Sequence, residues 1–332
     1  MIEWLILCEL PLTISLIFSW LIIHYLAKRL LDIPNIRSSH QAPTPRGGGI
    51  ALAGGIVITL LTAWYFAYID AAPLYWLALP AGLISILGIC DDLFNLTIGI
   101  RLSVQFLLAT IGVCFIGIDN EWLPVIRALS LVIMILFIVW MTNLYNFMDG
   151  INGLAAFEAI SVCIGMALIY RIQNVNLDAL YLLMIIAAGT SGFLFWNFPR
   201  AKLFMGDSGS LFLGLSLGLL TIQSLNINNY LCVAWLIMLG IFIVDASYTL
   251  FYRVITKQAF HQAHRTHAYQ KIAMQLKSHT NTTIAAVAIN LLWLLPIAIA
   301  AATTKLNAVM ALVIAYAPLI FITQKYRAGR KE

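Results

Sequence analysis

Asn143, Asn146 and Asp149 stand three residues apart at the end of an apolar run, Val125 to Trp140, and are followed by Gly150 and Gly153. If a helix continues through them, neighbouring members of the series lie near one face. The glycines let the backbone turn or approach a ligand closely. Two amides and a carboxylate closing an apolar run long enough to cross most of a bilayer read as one wall of a polar, metal-binding site at the membrane surface. A polar cap on a helix end is the plainer alternative.

Other stretches can supply the remaining walls. Adjacent Asp91 and Asp92 at a membrane boundary repel and desolvate each other unless a cation is near. A metal or a substrate cation is the simplest remedy; a solvated turn is the alternative. Asp207 lies between Gly206 and Ser208, just before another apolar run. There a carboxylate can project at a helix entrance and hold Mg²⁺, or simply cap the helix. Before it comes Trp196-Asn197-Phe198-Pro199-Arg200. In Pro43-Thr44-Pro45-Arg46-Gly47-Gly48-Gly49, prolines stiffen an extended segment. The glycines then open a helix whose N–H groups, beside Arg46, suit a phosphate, or serve only for close helix packing. The longest polar stretch, Arg253 to Thr280, carries His261, His264, Arg265 and His267. Without cysteine partners this run is a poor zinc site, and its positive charge suits a nucleotide diphosphate.

The elements that must position these residues are membrane helices. The chain is 62% hydrophobic and 10% charged, against roughly 25% charged in a soluble domain. The expected fold is all-α: one integral membrane domain over 1–332, a polytopic helical bundle of about 10–11 spans. Approximate limits are 4–27, 48–69, 73–90, 102–118, 125–146, 153–170, 178–196, 209–225, 230–252, 281–302 and 307–323, the eighth being the weakest signal. With the N-terminus outside, only Arg127, Arg171 and Lys305 of the 19 Lys and Arg fall on the outer side, as the positive-inside rule requires. The inner loops, about 28–47, 91–101, 147–152, 197–208 and 253–280, then hold every motif named above. Glu3 and Glu9 sit where a cleavable signal would want positive charge, so the first run is expected to be retained. The net charge of +5 belongs to loops and gives no sign of nucleic-acid binding. The cysteines form no CxxC pair and read as thiols within helices. Glu158 and Asp245 lie roughly 7–10 Å inside their spans, either arranging the site or buried as hydrogen-bonded carboxyls. A secondary transporter is the main rival, but it wants its ionisable groups near the bilayer midplane, whereas these gather at one face.

Taken together, these motifs resemble the polyprenyl-phosphate N-acetylhexosamine-1-phosphate transferases. The resemblance spans about residues 30–280. It rests on Pro43 to Gly48, Asp91-Asp92, Asn143 to Gly153, Phe204-Met205-Gly206-Asp207-Ser208-Gly209-Ser210 and His264-Arg265-Thr266-His267-Ala268-Tyr269-Gln270. With Asp32 to His40, the last looks most like the branch that begins lipopolysaccharide O-antigen chains. The resemblance implies a multi-pass protein of the bacterial inner membrane, with its N-terminus periplasmic and its catalytic loops cytoplasmic. It implies Mg²⁺-dependent transfer, with Mn²⁺ as an alternative ion, from a UDP-N-acetylhexosamine to undecaprenyl phosphate in the bilayer, releasing UMP; a homodimer is compatible with it. By correspondence, Asn146 and Asp207 match metal positions, and Asp91, Asp92 and Asp149 match the acidic catalytic positions. His264, Arg265 and His267 match a basic loop over the nucleotide-sugar. Arg46 falls near a phosphate, and Asn143, Asn152 and Asn197 fall among the substrate contacts. Two departures stand out. Many relatives carry Asp where Asn152 stands, and Leu93-Phe94-Asn95 follows the aspartate pair where some branches have a nearby lysine.

Overall fold

A computed structural model describes residues 2–26, 31–32, 43–117, 124–258 and 264–330. Arg37, Ser38, Ser39 and His40 of the first inner loop, and His261 of the last, lie outside the described residues. The described chain is helical apart from the two-residue strands β1 (Leu31–Asp32) and β2 (Thr44–Pro45), which pair antiparallel with Leu31 opposite Pro45. Among the described residues, 10 helices are long and apolar enough to cross a membrane, or 11 if one bent pair is a single span. They are α1 (Leu5–Leu26), α2 (Gly48–Tyr65), α3 (Leu74–Phe94), α4 (Ile98–Ile116), α5 (Pro124–Met148), α6 (Leu154–Ile172), α7 (Leu177–Asn197) and α8 (Asp207–Asn226). The bent pair α9 (Asn229–Met238) and α10 (Gly240–Ile255) follows, then the short α11 (Ala268–Leu276), α12 (His279–Ala302) and α13 (Ala308–Lys325).

The eighth span, the weakest in the sequence, is the centre of the bundle: 89% of its most apolar window is buried. Its hydropathy is low because it faces protein, not lipid. Glycine and serine stand where a lipid-facing helix would carry bulk, letting neighbours approach closely. A Cβ on Gly214 would lie 2.8 Å from the Met141 carbonyl of α5, and one on Gly88 of α3 would lie 2.4 Å from the Ser208 nitrogen. The tightest crossing joins α2 and α8. A Cβ on Gly49 would lie 2.0 Å from Gly209 N and 2.4 Å from its Cα. Alanine is the better helix former by about 1 kcal/mol, but here both backbones must move. Gly49→Ala is therefore expected to destabilise the protein by about 1–3 kcal/mol, the usual cost of overpacking. Thermal unfolding in detergent measures it; an unchanged midpoint would contradict the crossing.

Three boundaries differ from the sequence reading, each for a local reason. Helix α3 runs on through Cys90 to Phe94, so Asp91 and Asp92 stand in its final turns, not in a loop. It ends where Asn95 takes a left-handed conformation, φ 51°, and Thr97 caps α4 by accepting from Ile100 N. Asp207 is the first residue of α8, after Gly206 at φ 70°. The ninth span is not one helix: α9 and α10 meet at 69°. The Tyr316 hydroxyl of α13 donates to the Leu236 carbonyl at 2.7 Å, supplying a partner near the bend, as a broken helix inside a bundle requires.

Candidate active site

The inner connections meet at the start of α8. The first contact is backbone to backbone: Gly48 N donates to Phe204 O at 2.9 Å, Gly49 N to Met205 O at 2.8 Å and Phe204 N to Pro45 O at 2.8 Å. These bonds satisfy N–H groups at the start of α2 that would otherwise lack partners. They also mean that the Gly48 and Gly49 amides are engaged by protein and do not form the phosphate cradle the sequence allowed; the glycines serve close packing. Arg46 still points into the site. Its guanidinium lies 2.9 Å from Asp32 and 3.4 Å from Asp92. Burial works against its charge, but Asp32, Asp92 and Asp207 outweigh that and hold it above its ordinary pKa.

Asp92 reaches across to the start of α8, where its Oδ2 accepts from Asp207 N at 3.1 Å. A carboxylate at the C-terminal end of α3 is disfavoured by that helix's dipole and favoured by the N-terminal dipole of α8; the fold places it between the two. Gly206 makes this approach possible, since a Cβ there would lie 2.6 Å from Asp92 Oδ2. Asp91 is held differently. Its Oδ1 accepts from Leu96 N at 2.8 Å, and its Oδ2 pairs with Arg101 of α4 at 2.7 Å. These contacts hold Asp91 at the α3–α4 turn, where its carboxyl also meets Asp207.

From α5, the Asn146 amide donates to Asp207 Oδ1 at 2.9 Å and to Ser210 Oγ at 3.1 Å. Asp207 therefore turns toward α5 instead of capping its own helix, which has no side-chain cap. Asp149, just past the end of α5, is half-buried. Desolvation, and then the facing charges of Asp207 and Asp92, hold its carboxyl well above the usual range, against a smaller opposing effect of Arg46. Among the described residues neither Asp149 nor Asp207 forms an ion pair. Four carboxylates, Asp91, Asp92, Asp149 and Asp207, thus face two guanidinium groups, and Arg46 is shared with a fifth carboxylate, Asp32. Burial and the crowding of these carboxyl groups raise the Asp149 pKa, and a divalent cation is what would relieve the crowding. No group of three or more His, Cys, Asp or Glu among the described residues has metal-cage geometry.

The other asparagines make contacts within the protein. Asn143 pairs with buried Gln105 of α4, donating to its Oε1 at 2.6 Å. Asn152 donates to Pro199 O at 3.2 Å, while its carbonyl accepts from Thr283 at 2.9 Å. Asn197 accepts from Gly153 N at 2.6 Å and donates to Leu203 O at 2.9 Å. Asn152 and Asn197 thereby tie the turn after α5 to the stretch before α8.

The histidine loop is anchored by Asp245, inside α10. Its Oδ1 accepts from Ala268 N at 3.0 Å and its Oδ2 from Tyr269 N at 2.9 Å, so it caps α11 from another helix. Thr249 donates to it at 3.1 Å, and His267 Nδ1 lies 3.3 Å away. Gln270, three residues on, accepts from His267 N at 3.3 Å, completing a capping box. The Tyr269 hydroxyl then donates to Phe147 O at 3.0 Å, bringing the loop against the end of α5. Gly150 leaves room for that hydroxyl: a Cβ there would lie 2.1 Å from it. His264 stacks on His267 with centroids 5.1 Å apart, and Arg265 is half-buried beside them. Of the two acids found within spans, Asp245 thus arranges the loop. Glu158 instead accepts from Asn290 at 2.7 Å in a buried contact between α6 and α12.

Burial, then the charges of His267 and Arg253, push the His264 imidazole down to about 3. Since the opened loop titrates near 6.5, it gains a proton that the closed loop refuses as pH falls below that value. Loop closure is therefore fully favoured above about 6.5 and weakens below it. Histidine NMR at about pH 5 is expected to show His264 neutral; a midpoint near the ordinary value would contradict the packing.

The profile of Glycosyl transferase family 4 matches residues 73–225. The chain is 30% identical over 261 residues to a probable undecaprenyl-phosphate N-acetylglucosaminyl 1-phosphate transferase of Bacillus subtilis (strain 168), covering 75% of this chain and 71% of that protein. It is 33% identical over 208 residues to a decaprenyl-phosphate N-acetylglucosaminephosphotransferase of Mycolicibacterium smegmatis, covering 56% of this chain and 51% of the relative. To an undecaprenyl-phosphate alpha-N-acetylglucosaminyl 1-phosphate transferase of Escherichia coli O157:H7 it is 32% identical over 204 residues, covering 56% of this chain and 53% of the relative. The chain thus spans about half the length of the latter two.

Proposed function

The chain belongs to the polyprenyl-phosphate N-acetylhexosamine-1-phosphate transferases, and from that premise we propose that it transfers N-acetylhexosamine-1-phosphate from a UDP-sugar to undecaprenyl phosphate, releasing UMP. The reaction would begin a cell-envelope glycan, with lipopolysaccharide O-antigen as our reading, at the cytoplasmic face of a bacterial inner membrane. The observation that carries this is the meeting of Asn146, Asp207, Asp92 and Arg46 at one end of a membrane bundle, with the histidine loop docked beside them.

The donor's diphosphate and the acceptor phosphate are both anions, and their approach without counter-charge is prohibitive. Asn146 and Asp207 would hold Mg²⁺, which when bound supplies positive charge to the phosphates and aligns attack. Arg46 contributes a fixed cation from the opposite side. The acceptor is largely ionised near neutral pH, so the demand on a base is light. Asp91, whose carboxyl meets Asp207 while also closing the α3–α4 turn, and Asp149, which faces Asp207 and Asp92, are the groups placed to take a residual proton. His264, Arg265 and His267 form the wall nearest the nucleotide. The relatives' names make UDP-N-acetylglucosamine the first donor to test, ahead of UDP-N-acetylfucosamine and UDP-N-acetylquinovosamine. Purified protein given Mg²⁺, undecaprenyl phosphate and each donor should release UMP with one of them and lose that activity on chelation. Absence of UMP with every donor, in protein that remains folded, would overturn the reading.

A further inference from the structure

Glu158 of α6 takes no direct part in the site, yet it is 2% exposed and faces Asn290 of α12, which is fully buried. The Asn290 amide donates to Glu158 Oε2 at 2.7 Å and to Ser161 Oγ at 2.9 Å, which uses both of its N–H groups. Ser161 donates its own proton to the Glu158 carbonyl at 3.1 Å. The two remaining oxygens, Glu158 Oε1 and Asn290 Oδ1, are buried and have no donor. Tyr145 of α5 comes near, but its hydroxyl donates to Ala155 O at 2.7 Å. Among the described residues no Lys, Arg or His forms an ion pair with Glu158.

An ionised carboxylate inside a bilayer span, with one oxygen unsatisfied and no cation, is a costly arrangement. A single proton removes the cost. A carboxylic acid brings a donor for the amide oxygen, so acid and amide can exchange two hydrogen bonds, as two amides do.

The same face of α12 reaches the site. Thr283, seven residues and about two turns before Asn290, donates to Asn152 O at 2.9 Å, in the turn that follows Asp149. Lys277 and Ser278 alone separate α12 from α11, the helix that begins at the histidine loop.

We propose that Glu158 is a positioning residue, held as a carboxylic acid whose reciprocal pair with Asn290 sets the register of α12 on α6. A slip of α12 would loosen Asn152 through Thr283, and the histidine loop through α11. The pair itself is independent of the reaction; its effect on the donor rests on the transferase reading.

The test uses the whole chain in detergent with its glutamate carboxyls labelled with ¹³C, which separates them from the aspartates. At neutral pH the infrared spectrum should hold a carboxylic-acid carbonyl band that Glu158→Gln removes. Glutamine offers the same donor and acceptor, so Glu158→Gln should keep the parent's thermal midpoint and keep both KM values within about twofold. Glu158→Ala leaves the Asn290 amide short of a partner and should lower the midpoint by roughly 2–8 °C. Its KM for the nucleotide-sugar should rise about tenfold, with that for the prenyl phosphate unmoved. Should Glu158→Ala not fold, Thr283→Val should show the same donor effect from the other end of the contact. No acid band in the parent, a Glu158→Gln midpoint well below the parent's, or an unmoved donor KM in the folded variant would each overturn the proposal. Band and midpoint are read without turnover, so absence of UMP with every donor leaves them standing.

Discussion

Asp207→Asn is expected to lower turnover by roughly a thousandfold while leaving the protein folded. The substitution keeps shape and keeps an oxygen to accept the Asn146 bond, now 2.9 Å long. What it removes is the charge that would hold the cation. A metal contributes several kcal/mol to stabilising charge in phosphoryl transfer, and each 1.4 kcal/mol is tenfold in rate. In metal-free buffer the same change relieves repulsion between Asp207 and the carboxylates of Asp91, Asp92 and Asp149. Stability without metal should therefore hold or rise. Two measurements separate these effects: UMP release, and the thermal midpoint with and without Mg²⁺. The parent should gain stability on adding the ion and the variant should not. Normal turnover, or an undiminished Mg²⁺ response, would remove Asp207 from the metal site.

Asp245→Ala is the second large effect. It deletes the acceptor for Ala268 N, Tyr269 N, Thr249 Oγ1 and His267 Nδ1 together. A buried donor left without a partner costs about 1–3 kcal/mol, so the closed loop should lose roughly 3 kcal/mol or more. Because Asp245 holds the loop and not the central helices, the loss should appear as a KM for the nucleotide-sugar raised about a hundredfold. The KM for the prenyl phosphate should move little. Asp245→Asn keeps one acceptor oxygen and should fall between. A donor KM within about twofold of the parent in folded Asp245→Ala would show that the loop closes without this anchor.

Helix type and approximate number were legible because hydropathy reports lipid contact directly. Where its signal was weakest, the helix did not face lipid: α8 carries small residues because protein covers nearly all of it. The bend between α9 and α10 falls at Gly240, a lone glycine in an apolar run that gave too little reason to divide the span. At the site, residue types announced themselves through their order along the chain: paired acids, a carboxylate between glycine and serine, histidines in a basic stretch. Their division of labour did not. That Asp91 is tied to Arg101 while Asp92 reaches the start of α8 depends on how far α3 runs before turning. Asp245 drew notice as an acid within a span, but only the packing of α10 against α11 shows that it holds Tyr269 and His267.

The bonds from Gly48 and Gly49 to the carbonyls of Phe204 and Met205 bear on tempo. Two chain segments stitched through their backbones move as one piece, so the side of the site carrying Arg46 and Asp207 is an anvil that stays still. The histidine segment is tied instead through Asp245 on a tilted half-helix, through the Tyr269 hydroxyl and through Gly329 N. In the proposed reaction, release of spent nucleotide would belong to that segment and not to the stitched one.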